Sequence, residues 1–260
     1  MTSQIYAGRS RMVVLRALYS LKSSTWFVVL SGFFEPLFYL LSFGLGLGSY
    51  IGRVSGPGGA PVSYAAFIAP ALLATSAMNG AIYDSTWNIF FKMKFAHLYD
   101  AMIATSLGPL DIALGEIAYA LLRGLAYALA FIGVMGALGL VLSPWGLLAV
   151  PAALLIAFGF AACGMAVTSF MSSFQQMDLI NFFMLPMFLF SATFYPITVY
   201  PPAIQWVIKI FPLWHGIELM RGLTLGQLAP SMLWHVLYFA VMIVLGLVAT
   251  TRRLTALFMK

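Results

Sequence analysis

The sequence predicts an all-α integral membrane protein with six transmembrane helices, and three observations carry that expectation. First, 62% of the residues are hydrophobic and only 8% are charged, with a mean hydropathy of +0.98. A soluble domain carries roughly 25% charged residues, so this chain has too little charge to cover a soluble surface. Second, the apolar residues fall in long continuous runs, unlike the period-two alternation of a membrane barrel. Third, Lys and Arg collect between alternate runs, as they do in cytoplasmic loops. That clustering accounts for the net charge of +6 as topology, and no nucleic-acid partner is implied.

A span needs about 20 mostly apolar residues. Six stretches qualify: 26–47, 64–83, 112–141, 146–171, 178–196 and 231–251. Ahead of them, within residues 1–25, Arg9, Arg11, Arg16 and Lys22 alternate with Met12, Val13, Val14, Leu15 and Leu18. This is a basic amphipathic helix, most simply lying on the membrane surface among lipids. With the N-terminus inside, the inner segments hold Arg9, Arg11, Arg16, Lys22, Lys92, Lys94, Arg252, Arg253 and Lys260. The outer ones hold only Arg53, Lys209 and Arg221, and Arg123 falls within a span. Both termini are therefore expected in the cytoplasm, with 84–111 inside and 197–230 outside.

The chain reads as one membrane domain over 1–260, with no linker and no internal repeat. The N-terminus shows no cleavage-site pattern, so no removable signal peptide is expected. Cys163 is the only cysteine, so no intramolecular disulfide is expected. The sequence lacks GxxxxGK[ST], the loop whose backbone cradles nucleotide phosphates. GLGLGSYIG (44–52) misses GxGxxG spacing and follows a span, which makes it a flexible helix end. His97, His215 and His235 are scattered, with no HExxH, so no metal site is expected. No GxSxG elbow appears. The chain is not expected to be an enzyme or to bind a cofactor itself.

Charges within the spans are more informative. Glu35 lies about ten residues into the first span and Arg123 about eleven into the third. At 1.5 Å per residue both sit roughly 15 Å deep, where an unpaired charge is costly. Both are expected to face the protein interior, as a static pair or along a substrate path or gate. Glu116, about one turn into the third span, is expected to reach the cytoplasmic interface. Phe183, Phe190 and Phe194, with Phe182, Phe188, Met184 and Met187, either line a path or simply pack.

Four stretches, in order, resemble the permease subunits of ABC-2 type exporters, nearest the branch of nodulation lipooligosaccharide exporters and antibiotic-resistance permeases. They are EPLFYLLSFGLGLG (35–48), FIAPALLATSAMNGAIYDSTW (67–87), FKMKFAHLYDAMIATSLGPLDIALGEIAYA (91–120) and LPMFLFSATFYPITVYPPAIQWVIKIFPLWHGIELMRGLTLG (185–226). Together they cover over a third of the chain. Ser106-Leu107-Gly108-Pro109 departs from the family, which more often has Pro soon after the Thr matching Thr105.

The resemblance implies two ATP-binding cassette subunits on the cytoplasmic side, carrying the ATP and Mg. It also implies a second permease, either an identical copy or a relative. In such proteins the chain between spans five and six forms an outer re-entrant helical hairpin. The residues fit: Pro196, Pro201 and Pro202 break the fifth helix, and Pro212 separates AIQWVIKIF from WHGIELMRG. Trp206, Trp214 and Tyr200 suit a headgroup-level belt. Glu218 and Arg221 are one turn apart and can pair, and His215 joins them as a gate or path candidate. Gly216 and Gly222 offer pivots, so the hairpin either caps the assembly or opens as a gate.

On the inner side, Phe91, Lys92, Lys94, Phe95, His97, Leu98, Tyr99 and Asp100 mix apolar and charged groups, the character of a surface that docks on a soluble partner. The expected function is export of an amphiphile: a lipid-linked saccharide, a lipid or a hydrophobic drug. The alternatives are an ion-coupled secondary transporter, which needs a titrating acid at mid-membrane, and a membrane-embedded transferase, which needs a polar catalytic cluster.

Overall fold

The computed structural model describes residues 8–21, 34 and 37–258, and apart from one small β-hairpin its elements are helices. Among the described residues the order is α1 (Ser10–Leu21), α2 (Leu37–Ile51), β1 (Arg53–Ser55), β2 (Pro61–Ser63) and α3 (Tyr64–Lys94). Then come α4 (Leu98–Ile103), α5 (Pro109–Ala137), α6 (Pro144–Phe170), α7 (Met177–Phe190), α8 (Pro202–Ile208), α9 (Pro212–Leu225) and α10 (Met232–Phe258). β1 and β2 pair antiparallel, with Arg53 opposite Ser63.

Among the described residues, four helices are long and apolar enough to cross a membrane: α3, α5, α6 and α10. α6 sits among the other three. Its buried face is built from small residues, including Ala152, Ala153, Ala157, Gly159, Ala161 and Ala162. Between helices in lipid, close packing replaces the hydrophobic effect as the driving force, and small residues permit it. Gly246 of α10 lies so near that a Cβ there would stand 2.6 Å from the carbonyl carbon of Ala162.

Several boundaries differ from expectation, and the last helix runs past 251 to Phe258. The helix expected to end at 83 runs on to Lys94 through a π-helical turn at Asp84–Asn88, so most of the inner segment is helical. The helix expected to end at 141 stops at Ala137, because Gly139 adopts φ 66° and Leu140 folds back to bond Met135. The helix expected over 178–196 covers only Met177–Phe190, about 21 Å at 1.5 Å per residue, short of a bilayer core. It stops six residues before Pro196, where Ala192 takes φ 59° and Thr193 donates its hydroxyl to the Phe188 carbonyl at 2.7 Å. The first expected span is described only over Leu37–Ile51, and Glu35 and Pro36 lie outside the described residues.

The turn at 106–109 has a clear local logic. Gly108 is the N-cap of α5, Pro109 takes the first helical position, and Asp111 Oδ2 accepts the Gly108 N–H at 3.1 Å. Asp111 Oδ1 also accepts the Arg9 N–H at 2.8 Å, which ties the start of α1 to the start of α5. α1 buries Val13 and Ala17, and leaves Arg11, Met12, Leu15, Arg16, Leu18 and Tyr19 exposed. Val13 seats on Gly115, where any side chain would collide with it. The expected helix is present; one face packs on α5, and its outward residues are apolar as well as basic.

Candidate functional site

One end of the bundle gathers α1, α4, the end of α3, the loop after α6 and the end of α10. Arg9 Nη1 reaches the Ser106 carbonyl at 3.5 Å, Tyr99 meets Phe258 edge-on at 6.4 Å, and Arg253 Nε donates to the Ser169 carbonyl at 3.3 Å. The described cations at this end are Arg9, Arg11, Arg16, Lys92, Lys94, Arg252 and Arg253.

Its surface is aromatic and charged. Phe91 and Phe95 are each 61% exposed, and their rings stack at 5.7 Å. Lys94, His97 and Asp100 are exposed beside them, with His97 Nδ1 3.3 Å from Asp100 Oδ2. His97 turns the chain from α3 into α4 with φ 46°. The other three residues expected on this face turn inward. Tyr99 is fully buried, Leu98 is half-buried, and Lys92 reaches under the surface to Glu116 Oε2 at 2.6 Å. Glu116 therefore does not reach the interface as expected; it is buried, because α1 and α4 cover that end of α5.

Two turns deeper, a second ion pair joins the same helices. Arg123 Nη1 donates to Asp84 Oδ1 at 2.8 Å and Nη2 to the Tyr127 hydroxyl at 3.2 Å. Asp84 is only 6% exposed. It had been expected as the first residue of the inner loop, but the extension of α3 places it within the span. Glu35 lies outside the described residues, and Arg123 finds its partner on α3. The two clasps have opposite polarity: acid on α3 with base on α5 in the deep one, the reverse in the shallow one. They lie eight residues apart on α3 and seven on α5, about 11 to 12 Å.

The opposite end holds the region expected as a hairpin. α8 and α9 are separate short helices divided before Pro212. Arg221 is fully buried. Its Nε donates to the Phe67 carbonyl of α3 at 3.2 Å, and Nη2 to the Ala192 and Thr193 carbonyls after α7 at 2.7 and 3.1 Å. Nη1 bonds Glu218 at 3.4 Å, and the guanidinium lies 3.7 Å from the Phe67 ring centroid. Burial lowers its pKa to about 10 while Glu218 pulls it upward, so it stays charged at neutral pH. The expected Glu218–Arg221 pair is present, but backbone carbonyls of two other segments take most of the guanidinium. This dense satisfaction marks a fastening of α9.

Gly216 abuts Ile156, and Gly222 abuts Met232, so both expected pivots sit in tight contacts. His215 and His235, far apart in sequence, meet with Nδ1 atoms 2.7 Å apart, and the Tyr238 ring stacks on His215 at 4.0 Å. No group of three or more metal-ligating side chains occurs among the described residues. Trp214 turns into this cluster, while Trp206 is 71% exposed with Lys209 Nζ 5.0 Å above its ring. Phe194 packs between Phe43 and Phe188, whereas Phe182, Phe183 and Phe190 are exposed.

The ABC-2 type transporter family matches residues 11–225 of the chain. The chain is 32% identical over 226 residues to Nodulation protein J of Rhizobium leguminosarum bv. viciae, covering 86% of this chain and 85% of that protein. It is 34% identical over 220 residues to Nodulation protein J of Rhizobium leguminosarum bv. trifolii, covering 84% and 81%. The protein of that name from Rhizobium meliloti (strain 1021) is 33% identical over 202 residues, covering 76% and 74%.

Asp84→Asn is expected to strand Arg123 and destabilise the protein by about 3–5 kcal/mol, the usual cost of breaking a buried pair. Adding Arg123→Gln should recover part of the loss, read as folded yield and melting temperature in detergent. Purely additive losses would deny the pairing.

Burial and the neighbouring His235 hold the His215 pKa down to about 4, from 6.5. Between those values the unfolded chain binds more protons than the folded one. Docking of α9 on α10 is therefore fully stable above pH 6.5 and weakens as pH falls toward 4. Amide-exchange protection of α9, corrected for intrinsic rates, should drop over that interval and stay flat from pH 6.5 to 8.

Proposed function

The chain belongs to the ABC-2 type transporter family, and from that premise we propose that it is the permease subunit of an ATP-driven exporter. A separate ATP-binding cassette subunit, carrying the ATP and Mg, docks on the end that bears α4. Each permease carries one such subunit, and two permeases, identical or related, make the transporter. Both termini lie in the cytoplasm, and the complex sits in the cell membrane.

The observation that carries this reading is the exposed surface of Phe91, Lys94, Phe95, His97 and Asp100, backed by the buried Lys92–Glu116 pair. Two phenyl rings mostly open to solvent, ringed by charges, have the composition of a docking site for a soluble partner. The buried pair joins that surface to α5, so a push on α4 and the end of α3 moves both helices together. The described cations support the orientation: seven stand at this end, while Arg53, Lys209 and Arg221 stand at the other.

α3 continues from the docking surface to Phe67, whose carbonyl holds Arg221. ATP-driven closure of the cassette subunits displaces α3, and Arg221 carries the displacement to α9 and the end of α7. The membrane then alternates between a closed and an outward-open arrangement. The exposed apolar residues of α7 and α8, Phe182, Phe183, Phe190 and Trp206, suit an amphiphile. Its class is a lipid-linked saccharide, a lipid or a hydrophobic drug, taken from the cytoplasm or inner leaflet. An ion-coupled mechanism finds less support, because Asp84 is already committed to Arg123.

The test uses a Cys163→Ala background. Cysteines at Phe91 and Phe95 should crosslink to the cassette subunit in membranes, whereas cysteine at Trp206 should not. The reverse pattern would invert the topology. Transport into inverted vesicles should require both the cassette subunit and ATP.

A further inference from the structure

The docking surface does not end at α4. After α6 the chain makes a short turn at Phe174–Gln176 before α7. Phe174 is 57% exposed on this turn, between exposed Ser172 and Gln175. Its ring meets Trp87 edge-on at 4.9 Å and Phe90 at 6.5 Å; Phe90 in turn meets Phe95 at 6.1 Å. The rings of Phe91, Phe95, Phe90, Phe174 and Trp87 thus form one continuous aromatic chain across two segments nearly eighty residues apart. The turn is preformed: the Ser172 N–H donates to Gln176 Oε1 at 2.8 Å and the Gln176 N–H to the Ser173 carbonyl at 3.3 Å.

We propose that the turn at 171–176, through Phe174, forms the second half of the surface on which the ATP-binding cassette subunit docks. The proposal rests on the function given above and names a contact that function does not itself require.

Two observations favour a protein over lipid as the occupant. α3 has 31 residues, about 46 Å, which exceeds the full bilayer thickness of about 40–45 Å. Its last turn, bearing Phe91, therefore stands at the aqueous margin with Phe95 just beyond it, and Phe174 lies against Phe90 at the start of that turn. The turn itself is polar, with Ser172, Ser173, Gln175 and Gln176 around a single projecting ring. One aromatic anchor on a polar, preordered turn is the form that hot spots take at protein interfaces. The exposed cations at this end, Lys94 and Arg252, suit a partner with an acidic rim. Arg253 fixes the base of the turn, with its guanidinium 4.7 Å from the Phe170 ring centroid.

The consequence is mechanical. Contact at Phe95 alone moves α3; contact at both Phe95 and Phe174 grips the ends of α3, α6 and α7 together.

The test places a photo-crosslinking benzoylphenylalanine at position 174, at 95, and at exposed Leu233 at the opposite end of α10, in full-length permease co-expressed with the cassette subunit that supports its transport. Adducts to that subunit from both 95 and 174, and none from 233, are expected. Adducts from 95 with only lipid adducts from 174 would overturn this inference and leave the proposed function standing. Adducts from neither would overturn both. As a second reading, Phe174→Ala should lower the fraction of cassette subunit retained on purification roughly tenfold, with unchanged permease yield. Full retention would contradict the proposal.

Discussion

Three charges within the described bundle are held by groups on α3. Arg123 takes Asp84, Glu116 takes Lys92, and Arg221 takes the Phe67 carbonyl. An ion in hydrocarbon without a partner is costly, so these contacts dictate where α5 and α9 sit relative to α3. The rest of the helix packing, dominated by Ala and Gly on α6, is permissive by comparison. Small residues allow close approach but do not fix a register. The two ion pairs of opposite polarity do, because sliding α5 along α3 by two turns would separate one pair or set like charges together.

This constraint links the two ends of the molecule. Lys92 lies beneath the exposed aromatic surface and Phe67 lies at the opposite end, on one continuous helix. Buried ion pairs and hydrogen bonds in a low-dielectric setting resist sliding of the helices that they join. In the proposed mechanism, α3 is the element through which a force applied near α4 reaches α9. The π-helical turn at Asp84–Asn88 falls between the two ion pairs, and such turns are frequent at functional sites in helices.

Much of this was legible in the sequence. Composition and run length announce a helical membrane protein, and Pro212 announces the break between α8 and α9. The clustering of Phe91, Lys94, Phe95, His97 and Asp100 announces a mixed aromatic and charged surface, and the fold leaves all five exposed at one end. What was hidden was pairing across distance. Nothing local distinguishes Asp84 from a loop residue, since it directly follows a run of the right length to end at Tyr83. Its role depends on Arg123, 39 residues away. Arg221 looked like one half of an i,i+3 pair, because the carbonyls that hold it leave no trace in side-chain chemistry. The early end of α7 follows from the same cause: the carbonyls of Ala192 and Thr193 turn toward Arg221. His215 and His235 were likewise separate until α9 folded onto α10. Phe174 gives no signal in the sequence, because a single aromatic in a six-residue turn makes no pattern.

The central claim is that α3 couples the aromatic surface to α9 through Arg221. Lysine at that position keeps the charge but cannot span the Phe67, Ala192 and Thr193 carbonyls with a planar fork. The decisive measurement is ATP hydrolysis and transport by the assembled complex carrying Arg221→Lys, in the same vesicles. The account predicts hydrolysis near the wild-type rate with transport reduced at least about tenfold, the loss of one tightly held contact. Transport that stays at the wild-type level, or that falls only in step with hydrolysis, would contradict it.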